Sequence, residues 1–320
     1  MGNKLRFFIF ICSSLLLTAC FRQSGQEADR STRVDFNASQ QTFQLHSIED
    51  LYAFLTYNEQ SYPLISAHRG GPDVGFPENA LETFDRVARA MPAIIECDIR
   101  LSKDSVLVLL HDEQLDRTTN GTGRVGKFTY AELQELQLKD SEGNLTDFRI
   151  PTLEEALLWG KGRVIFTLDV KKDVPYQLLS EIIHKTGAEA YSVVITYNVN
   201  QAVALHKVAP DLMISVSVKS ARDLTQLVSS NIPDNRLVAF VGLSQPDSSL
   251  VKTLHDHGIK IILGTIGNLD KQAAARGYQV YAEYVENGAD ILSTDRPFEA
   301  YKALDFYIRK RNIRSPYINW

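Results

Sequence analysis

The sequence lacks an excess of positive charge. Its 320 residues contain 34 Lys and Arg against 39 Asp and Glu, which gives a formal net charge of −5. A nucleic-acid-binding protein usually carries a basic patch or stripe, so the composition does not support a nucleic-acid partner. With 44% hydrophobic and 23% charged residues, the chain has the composition of a soluble globular protein with enough apolar residues to form a core.

The N-terminal apolar run is too short to cross a membrane comfortably. It extends from Phe7 to Leu17, whereas a transmembrane helix needs about 20 apolar residues. The run follows Lys4 and Arg6 and ends in Leu17-Thr18-Ala19-Cys20, which resembles a bacterial lipobox. We therefore predict a lipoprotein signal peptide over residues 1–19 and a lipid on Cys20; the alternative is a plain signal peptide with an incidental cysteine.

Cysteine is scarce, with three in the whole chain. If the lipobox is used, Cys12 is removed and Cys20 is blocked by lipid, so that Cys97 is the remaining thiol. One thiol cannot form an internal disulfide. The exported domain must therefore be stabilised by its hydrophobic core.

A polar segment separates the predicted anchor from the rest of the chain. Residues 21 to about 45 are polar and lack sustained periodicity, which is typical of a flexible tether. We therefore predict that residues 20–45 comprise the lipidated Cys20 and this tether. Phe21, rather than Asp, follows the cysteine. By analogy with enteric bacteria, this favours anchoring in the outer membrane, with the domain facing the periplasm or the cell exterior.

Beyond residue 63, β-branched apolar runs alternate with helical patterns. This alternation predicts a parallel sheet flanked by helices. Nine strands are predicted, at residues 64–67, 93–101, 106–110, 164–168, 193–196, 212–218, 237–241, 260–263 and 290–293.

Nine strands are one more than a TIM barrel contains. Only residues 102–105 separate the second strand from the third, whereas a parallel crossover needs a dozen residues or more. These two strands should form an antiparallel hairpin, which leaves about eight positions for a TIM-like (β/α)8 barrel. The barrel domain is predicted over residues 46–320, with an insertion at about 112–150 after the third strand.

Polar residues interrupt or follow four of the apolar strands. They are His68 and Arg69 after the first strand, Glu96 and Asp98 in the second, His111 after the third, and Asp169 and Lys171 after the fourth. The C-terminal ends of TIM-barrel strands are where catalytic groups gather. Each residue alone has a structural explanation, as a surface or hydrogen-bonded side chain.

Spacing brings some of these residues together. Glu96 and Asp98 are two positions apart and share one face of their strand, while Cys97 points the other way. A hairpin turn centred on Lys103 and Asp104 would place Asp98 roughly opposite His111.

Two carboxylates on one inward face are costly to bury unless a cation lies between them. Asp169 would complete an all-oxygen ligand set. Such a set suits Mg²⁺ or Ca²⁺ rather than Zn²⁺.

An ordered set of motifs over residues 64 to about 304 resembles the glycerophosphodiester phosphodiesterase family. Each motif is weak alone, but the ordered set is specific. The set comprises His68-Arg69-Gly70, Pro77-Glu78-Asn79, Glu96-Cys97-Asp98, His111-Asp112 with Leu115, Arg117-Thr118-Thr119-Asn120-Gly121-Thr122-Gly123, Ile150-Pro151-Thr152-Leu153-Glu154-Glu155, Asp169-Val170-Lys171, Gly288-Ala289-Asp290 and Thr294-Asp295-Arg296-Pro297.

The resemblance implies a metal-dependent hydrolysis of glycerophosphodiesters to glycerol 3-phosphate and an alcohol. The roles it assigns are acid-base catalysis for His68 and His111, substrate binding for Arg69 and Lys171, and metal coordination for Glu96, Asp98 and Asp169. The implied partners are a small-molecule phosphodiester and, through the lipid, a membrane. No protein partner is inferred.

The sequence departs from the family pattern at two positions. Asp169 stands where the family usually has Glu, and Gly264-Thr265 stands where many relatives have Trp-Thr. The loss of Trp would remove an apolar wall from the substrate site.

Two other functions are consistent with the sequence. One is a phospholipase D-like activity on lysophospholipids or sphingolipids, favoured by Asp169-Val170-Lys171 and the tether. An apolar groove at the barrel mouth would favour that activity, and a small polar pocket would favour glycerophosphodiesters. The other is a non-catalytic binding lipoprotein, because a fold does not guarantee an activity.

Overall fold

The computed structural model describes residues 1–2 and 42–319. Its strands are β1 (Leu64–Ala67), β2 (Ala93–Leu101), β3 (Leu107–Leu109), β4 (Gln137–Lys139), β5 (Leu145–Arg149), β6 (Ile165–Val170), β7 (Ser192–Thr196), β8 (Met213–Ser217), β9 (Leu237–Phe240), β10 (Ile261–Gly264) and β11 (Ile291–Thr294). Its α-helices are α1 (Ile48–Leu55), α2 (Leu81–Ala90), α3 (Tyr130–Gln134), α4 (Leu153–Gly160), α5 (Tyr176–Thr186), α6 (Val199–Val208), α7 (Ala221–Val228), α8 (Ser248–Asp256), α9 (Asn268–Arg276), α10 (Val280–Glu286) and α11 (Pro297–Arg311).

Eight of the strands form a closed parallel barrel. Their order around the barrel is β1, β2, β6, β7, β8, β9, β10 and β11, and β11 pairs with β1 to close it. The strands are almost continuously buried, as expected where side chains fill the barrel interior on one face and helices cover the other. The predicted TIM-like barrel is confirmed, and each of the nine predicted strands agrees with the structure to within two residues at either end.

The predicted antiparallel hairpin is also confirmed, because β3 pairs with the end of β2. Its register differs from the prediction by a small step. Arg100 lies opposite Val108, and the amide of Leu110 donates to the carbonyl of Asp98 at 3.0 Å. Asp98 therefore lies opposite Leu110 and not opposite His111, which is the next residue along the chain.

The segment from residue 112 to 150 contains secondary structure of its own, including α3 and the antiparallel pair β4–β5. It forms a second apolar cluster, composed of Ala80, Val108, Leu110, Leu115, Val125, Leu133, Leu138 and Ile150. Because Val108, Leu110 and Ala80 belong to this cluster, the segment packs against β3 and the loop that enters α2. It thereby helps to fix the loop that carries Glu78 and Asn79.

The first helix begins with a side-chain cap. Ser47 caps α1, and Asp50 at the third helical position completes a capping box. Cys97 is a free, buried cysteine, whereas Cys12, Cys20 and the predicted tether up to residue 41 lie outside the described residues. Within the described ranges, no helix is both long enough and apolar enough to cross a membrane.

Candidate active site

Three carboxylates converge at the C-terminal ends of β2 and β6. Asp98 and Asp169 are register partners on these neighbouring parallel strands. One oxygen of each, together with one from Glu96, forms a group in which all three atoms lie within 4.8 Å of one another. All three residues are buried, with Asp98 only 1% exposed. The structure thus brings together the three residues predicted as metal ligands.

Both candidate catalytic histidines bind a carboxylate through Nδ1. His68 Nδ1 lies 2.7 Å from Asp295 Oδ1, and His111 Nδ1 lies 2.7 Å from Asp112 Oδ1. A carboxylate at Nδ1 favours the tautomer that has its proton there, which leaves Nε2 as the atom that exchanges a proton. His111 Nε2 lies 4.0 Å from Asp98 Oδ1 and is therefore beside the carboxylate cluster.

Arg69 reaches the cluster through both its backbone and its side chain. Its amide donates to Glu96 Oε2 at 2.7 Å, and its guanidinium Nε lies 3.7 Å from Asp98 Oδ2. Its Nη1 donates to Glu78 Oε2 at 3.1 Å. Arg69 adopts a left-handed conformation with φ of 52°, and so does Asn79 with φ of 59°. Positive φ is uncommon for residues other than glycine, and such strained residues often cluster at functional sites.

Asn79 and Glu78 hold the surrounding charges in place. Asn79 Nδ2 donates to Asp98 Oδ2 at 2.8 Å, and the Asp98 amide donates back to Asn79 Oδ1 at 3.0 Å. Arg117 donates to both oxygens of Glu78 and also to Asp112. Arg117 therefore links Asp112, the hydrogen-bond partner of His111, to Glu78, the partner of Arg69.

Lys171 lies between two of the carboxylates. Its ammonium is 2.6 Å from Asp98 Oδ1 and 2.6 Å from Asp169 Oδ2. Burial alone would lower the pKa of Lys171, but the charges of Asp98 and Asp169 outweigh burial and raise it. The lysine predicted to bind substrate is thus also a counter-ion of the acidic cluster.

The pKa values of Glu96 and Asp98, the two carboxyl groups on β2, are shifted in opposite directions. Burial, reinforced by the charge of Asp98, raises the pKa of Glu96 to about 8. Burial also favours neutral Asp98, but Lys171 and Asn79 outweigh it and hold the pKa of Asp98 below its usual range. Lys171 therefore compensates Asp98 and leaves Glu96 short of positive charge.

This donor set fits a divalent cation. It is composed of carboxylate oxygens, which are the ligands that Mg²⁺ and Ca²⁺ prefer. The raised pKa of Glu96 reflects buried negative charge that such an ion would offset. Glu96, Asp98 and Asp169 are the residues that would hold it.

A cavity of about 150 Å³ opens beside the cluster at the barrel mouth. His68, Glu96 and Asp169 line one side of it. Its apolar lining is supplied by Ile195, Tyr197, Phe240, Ile262 and Ile266. A cleft of about 950 Å³ lies at the opposite end of the barrel, beside the segment that enters β1; it contains none of the candidate residues, so its size does not make it the active site.

The space next to Gly264 is occupied by neighbouring residues. A Cβ atom placed there would lie 2.6 Å from Leu243 Cδ2 and 3.1 Å from Phe240 Cε2. Phe240, Ile262 and Ile266 line the cavity, so the site has an apolar wall although Gly264 stands where many relatives have Trp.

The family model for glycerophosphoryl diester phosphodiesterases matches residues 68–298. The chain belongs to this family. It is accordingly a phosphoric diester hydrolase, and the non-catalytic alternative is not retained.

Individual family members agree with this assignment. A probable glycerophosphodiester phosphodiesterase 1 of Mycobacterium tuberculosis is 30% identical over 252 residues, which cover 72% of this chain and 84% of the relative. A crystal structure of a glycerophosphoryl diester phosphodiesterase from Parabacteroides distasonis is 38% identical with a TM-score of 0.79, covering 83% of this chain and 94% of that one.

A more distant structure shares the fold. The phosphodiesterase of Oleispira antarctica, solved with its product sn-glycerol 3-phosphate, is 22% identical with a TM-score of 0.61. The match covers 79% of this chain and 98% of that one.

Sequence reasoning about this phosphodiesterase gave no role to three residues that contact the site. They are Asp112, Asp295 and Tyr197, whose hydroxyl donates to Asp169 Oδ1 at 2.5 Å. Asp295 and Tyr197 each follow the last residue of a barrel strand. The rule that identified His68 and Asp169, a polar residue at the end of a strand, would have selected them as well.

Proposed function

We propose that this enzyme uses a divalent cation, Mg²⁺ or Ca²⁺, to hydrolyse glycerophosphodiesters to glycerol 3-phosphate and an alcohol. The observation that carries the proposal is that the carboxylate cluster and a candidate catalytic histidine lie together at the same mouth of the barrel. The group of Glu96, Asp98 and Asp169 spans no more than 4.8 Å, and His111 Nε2 lies 4.0 Å from Asp98. The product bound in the Oleispira antarctica relative supports the same reaction.

The two histidines are assigned the proton transfers. With Nδ1 held by Asp295 or Asp112, each imidazole presents Nε2 to the reacting phosphodiester. One histidine takes the proton of the attacking group, which is water or the glycerol 2-hydroxyl, and the other donates a proton to the leaving alcohol. Attack by the 2-hydroxyl gives a cyclic phosphate, which water then opens to glycerol 3-phosphate. A cation bound by Glu96, Asp98 and Asp169 would polarise the phosphoryl group and offset the charge that develops on it.

Arg69 and Lys171 are assigned to the phosphate. Arg69 Nε is buried and has no hydrogen-bond partner within the described part of the chain; Asp98 Oδ2 lies 3.7 Å away, beyond hydrogen-bond distance. Nε can therefore donate to a phosphate oxygen without losing an existing hydrogen bond. Lys171 adds a compact positive charge, which its raised pKa preserves at neutral pH.

The cavity volume supports a small substrate. At about 150 Å³, it is smaller than the 300–1,000 Å³ or so of sites that enclose drug-sized ligands. Its apolar wall of Ile195, Phe240, Ile262 and Ile266 is the observation that keeps the phospholipase D-like alternative as a second candidate, because an acyl chain would need such a surface.

The test is release of glycerol 3-phosphate from glycerophosphocholine, measured in EDTA, Mg²⁺ and Ca²⁺. We expect cation-dependent release that His111→Ala abolishes, while His46→Ala, a change at an exposed histidine outside the site, leaves it unchanged. Lysophosphatidylcholine is the parallel substrate. Higher kcat/KM on lysophosphatidylcholine would select the second candidate, and cation-independent release would reject the role assigned to the carboxylates.

The proposal includes export as a lipoprotein anchored through Cys20, with the outer membrane as its destination. It is supported by the sequence at Leu17-Thr18-Ala19-Cys20. Mass spectrometry of the mature N-terminal peptide tests it. A diacylglyceryl group on Cys20 is expected, and an unmodified N-terminus at another residue would reject the anchor.

A further inference from the structure

Both oxygens of Asp169 are held by hydrogen-bond donors. Tyr197 Oη lies 2.5 Å from Oδ1, and Lys171 Nζ lies 2.6 Å from Oδ2. Lys171 is shared with Asp98, but no other described hydrogen bond of the Tyr197 side chain appears in the site. Its hydroxyl is therefore directed at one ligand of the proposed cation.

Tyr197 occupies a position from which it can act on β6. It follows the last residue of β7, the strand that pairs with β6, and Asp169 lies opposite Ile195 in the register. Tyr197 thus reaches Asp169 from the end of the neighbouring strand. This contact does not depend on a flexible distant loop.

The short side chain of Asp169 limits how far its carboxylate can reach toward a cation. Compared with the Glu96 side chain in the same cluster, the Asp169 carboxylate stands closer to its backbone by one methylene, about 1.5 Å. A shorter side chain reaches less far and has fewer ways to turn toward a shared ion. The Tyr197 hydroxyl, 2.5 Å from the carboxylate, leaves no room for the extra methylene to extend in its direction.

The geometry points to Tyr197 as a positioning residue that orients the short Asp169 carboxylate so that it can bind a divalent cation together with Glu96 and Asp98. This inference deepens the proposed function and rests on its cation site. Groups that orient metal ligands from outside the coordination shell typically contribute 10–100-fold to metal affinity or activity.

The chemistry of the phenol suits this role. A tyrosine hydroxyl has a pKa of about 10 even when it is unperturbed, so at neutral pH it is a donor to the Asp169 carboxylate. The residue as a whole is 54% exposed. Removing one hydroxyl from it should therefore change orientation at Asp169 far more than it changes packing.

The test begins with Tyr197→Phe and measures Mg²⁺ and Ca²⁺ affinity of the full chain by titration calorimetry. We expect cation binding about 10-fold weaker than in the wild type, with the melting temperature of the metal-free protein nearly unchanged. Activity should fall at low cation concentration and recover at saturating cation. The matched control is Tyr191→Phe, which removes a tyrosine hydroxyl that donates to Leu157 O at the other end of β7.

A second pair of variants separates positioning from general damage. Asp169→Glu alone should also weaken cation binding, because Tyr197 obstructs the longer side chain. The double variant Asp169→Glu/Tyr197→Phe should bind the cation more tightly than either single variant, because Glu then has room to extend.

Three outcomes would overturn the inference. They are wild-type cation affinity in Tyr197→Phe, equal losses in Tyr197→Phe and Tyr191→Phe, or losses in the double variant that simply add. Failure of the proposed function would look different. A wild-type protein that binds cations but releases no glycerol 3-phosphate would reject the reaction while the affinity measurements still decide the role of Tyr197.

Discussion

His68 and Asp295 face each other across the seam that closes the barrel. They follow β1 and β11, whose last residues Ala67 and Thr294 are register partners, and the two side chains meet at 2.7 Å. Asp270 fixes this end of β11 by accepting from the Asp295 amide at 2.9 Å and from Thr294 Oγ1 at 2.8 Å. The orientation of a candidate catalytic histidine thus depends on barrel closure.

Replacing Asp295 with Asn should lower the pKa of His68. Burial by itself lowers that pKa, but the hydrogen bond to Asp295 and the charge of Glu96 outweigh burial and raise it. Without the Asp295 charge, the limb of the pH–rate profile controlled by His68 should move to lower pH. The rate itself should fall at least about tenfold, because the favoured tautomer is lost.

The measurement is kcat/KM against pH, together with an NMR titration of His68. Asp305→Asn is the control, since Asp305 pairs with Arg309 on α11 rather than with a histidine. An unchanged His68 pKa in Asp295→Asn would show that the contact does not tune this imidazole.

Stability and cation binding should depend on pH through Glu96. Its pKa is about 8 in the folded protein and about 4.3 in an unfolded chain, so the folded state binds the extra proton between these values. The free energy of unfolding of the metal-free protein should therefore fall as pH rises from about 4.3 to about 8. Mg²⁺ or Ca²⁺ competes with that proton and should stabilise the protein more at pH 8 than at pH 5.

Glu96→Gln is the informative variant, because the amide cannot ionise. We expect its metal-free melting temperature to vary less with pH than that of the wild type, and its stabilisation by cations to be largely lost. Differential scanning fluorimetry across pH, with EDTA or added cation, makes the comparison. A wild type that gains stability between pH 5 and 8 without metal would contradict the raised pKa.

The barrel could be predicted from sequence because its strands are short, apolar and β-branched, and because most of them are separated by helical patterns. The four residues between 101 and 106 were enough to identify the hairpin. Its register was harder to predict because Ser105 adopts a left-handed conformation with φ of 62°. That conformation creates a three-residue loop centred on Asp104. Such a loop usually has glycine at its left-handed position, and Ser105 at this position does not indicate the loop in the sequence.

The candidate site could be predicted only in part, because some of the side chains that meet in it are far apart in the sequence. Glu96, Asp98 and Asp169 lie at strand ends, where the chain itself indicates a shared edge. The partner of His68 is 227 residues away, and the contact of Tyr197 with Asp169 depends on which strands are neighbours and in what register. A single sequence does not specify such pairings between side chains.

Lys171→Met should separate the two roles of this lysine. The ammonium now competes with a cation for Asp98 and Asp169, so its removal should tighten binding of Mg²⁺ or Ca²⁺. The same change removes a positive charge from the phosphate site, so affinity for glycerol 3-phosphate and turnover should both fall, each about tenfold or more. Lys172→Met, at the neighbouring exposed lysine, should leave both affinities unchanged.

Calorimetric titrations of cation and of glycerol 3-phosphate check the two effects separately. Weaker cation binding in Lys171→Met would mean that the ammonium organises the carboxylates instead of competing with the ion. Unchanged affinity for glycerol 3-phosphate would remove Lys171 from the phosphate site.

Gly70 should tolerate alanine much less well than Gly75. Both have positive φ, 83° and 75°, which costs an L-residue about 1–2 kcal/mol. A Cβ at Gly70 would also lie 2.3 Å from Cδ1 of the buried Phe84, whereas a Cβ at Gly75 meets nothing within 4 Å. Overpacking of a core adds about 1–3 kcal/mol. We therefore expect Gly70→Ala to lower the free energy of unfolding by about 2–5 kcal/mol and Gly75→Ala by about 1–2 kcal/mol. Urea unfolding of the two variants under identical conditions makes the comparison. Equal losses of unfolding free energy would mean that Phe84 moves aside without cost. In that case the close approach of Gly70 to α2 would not constrain the turn that carries His68 and Arg69.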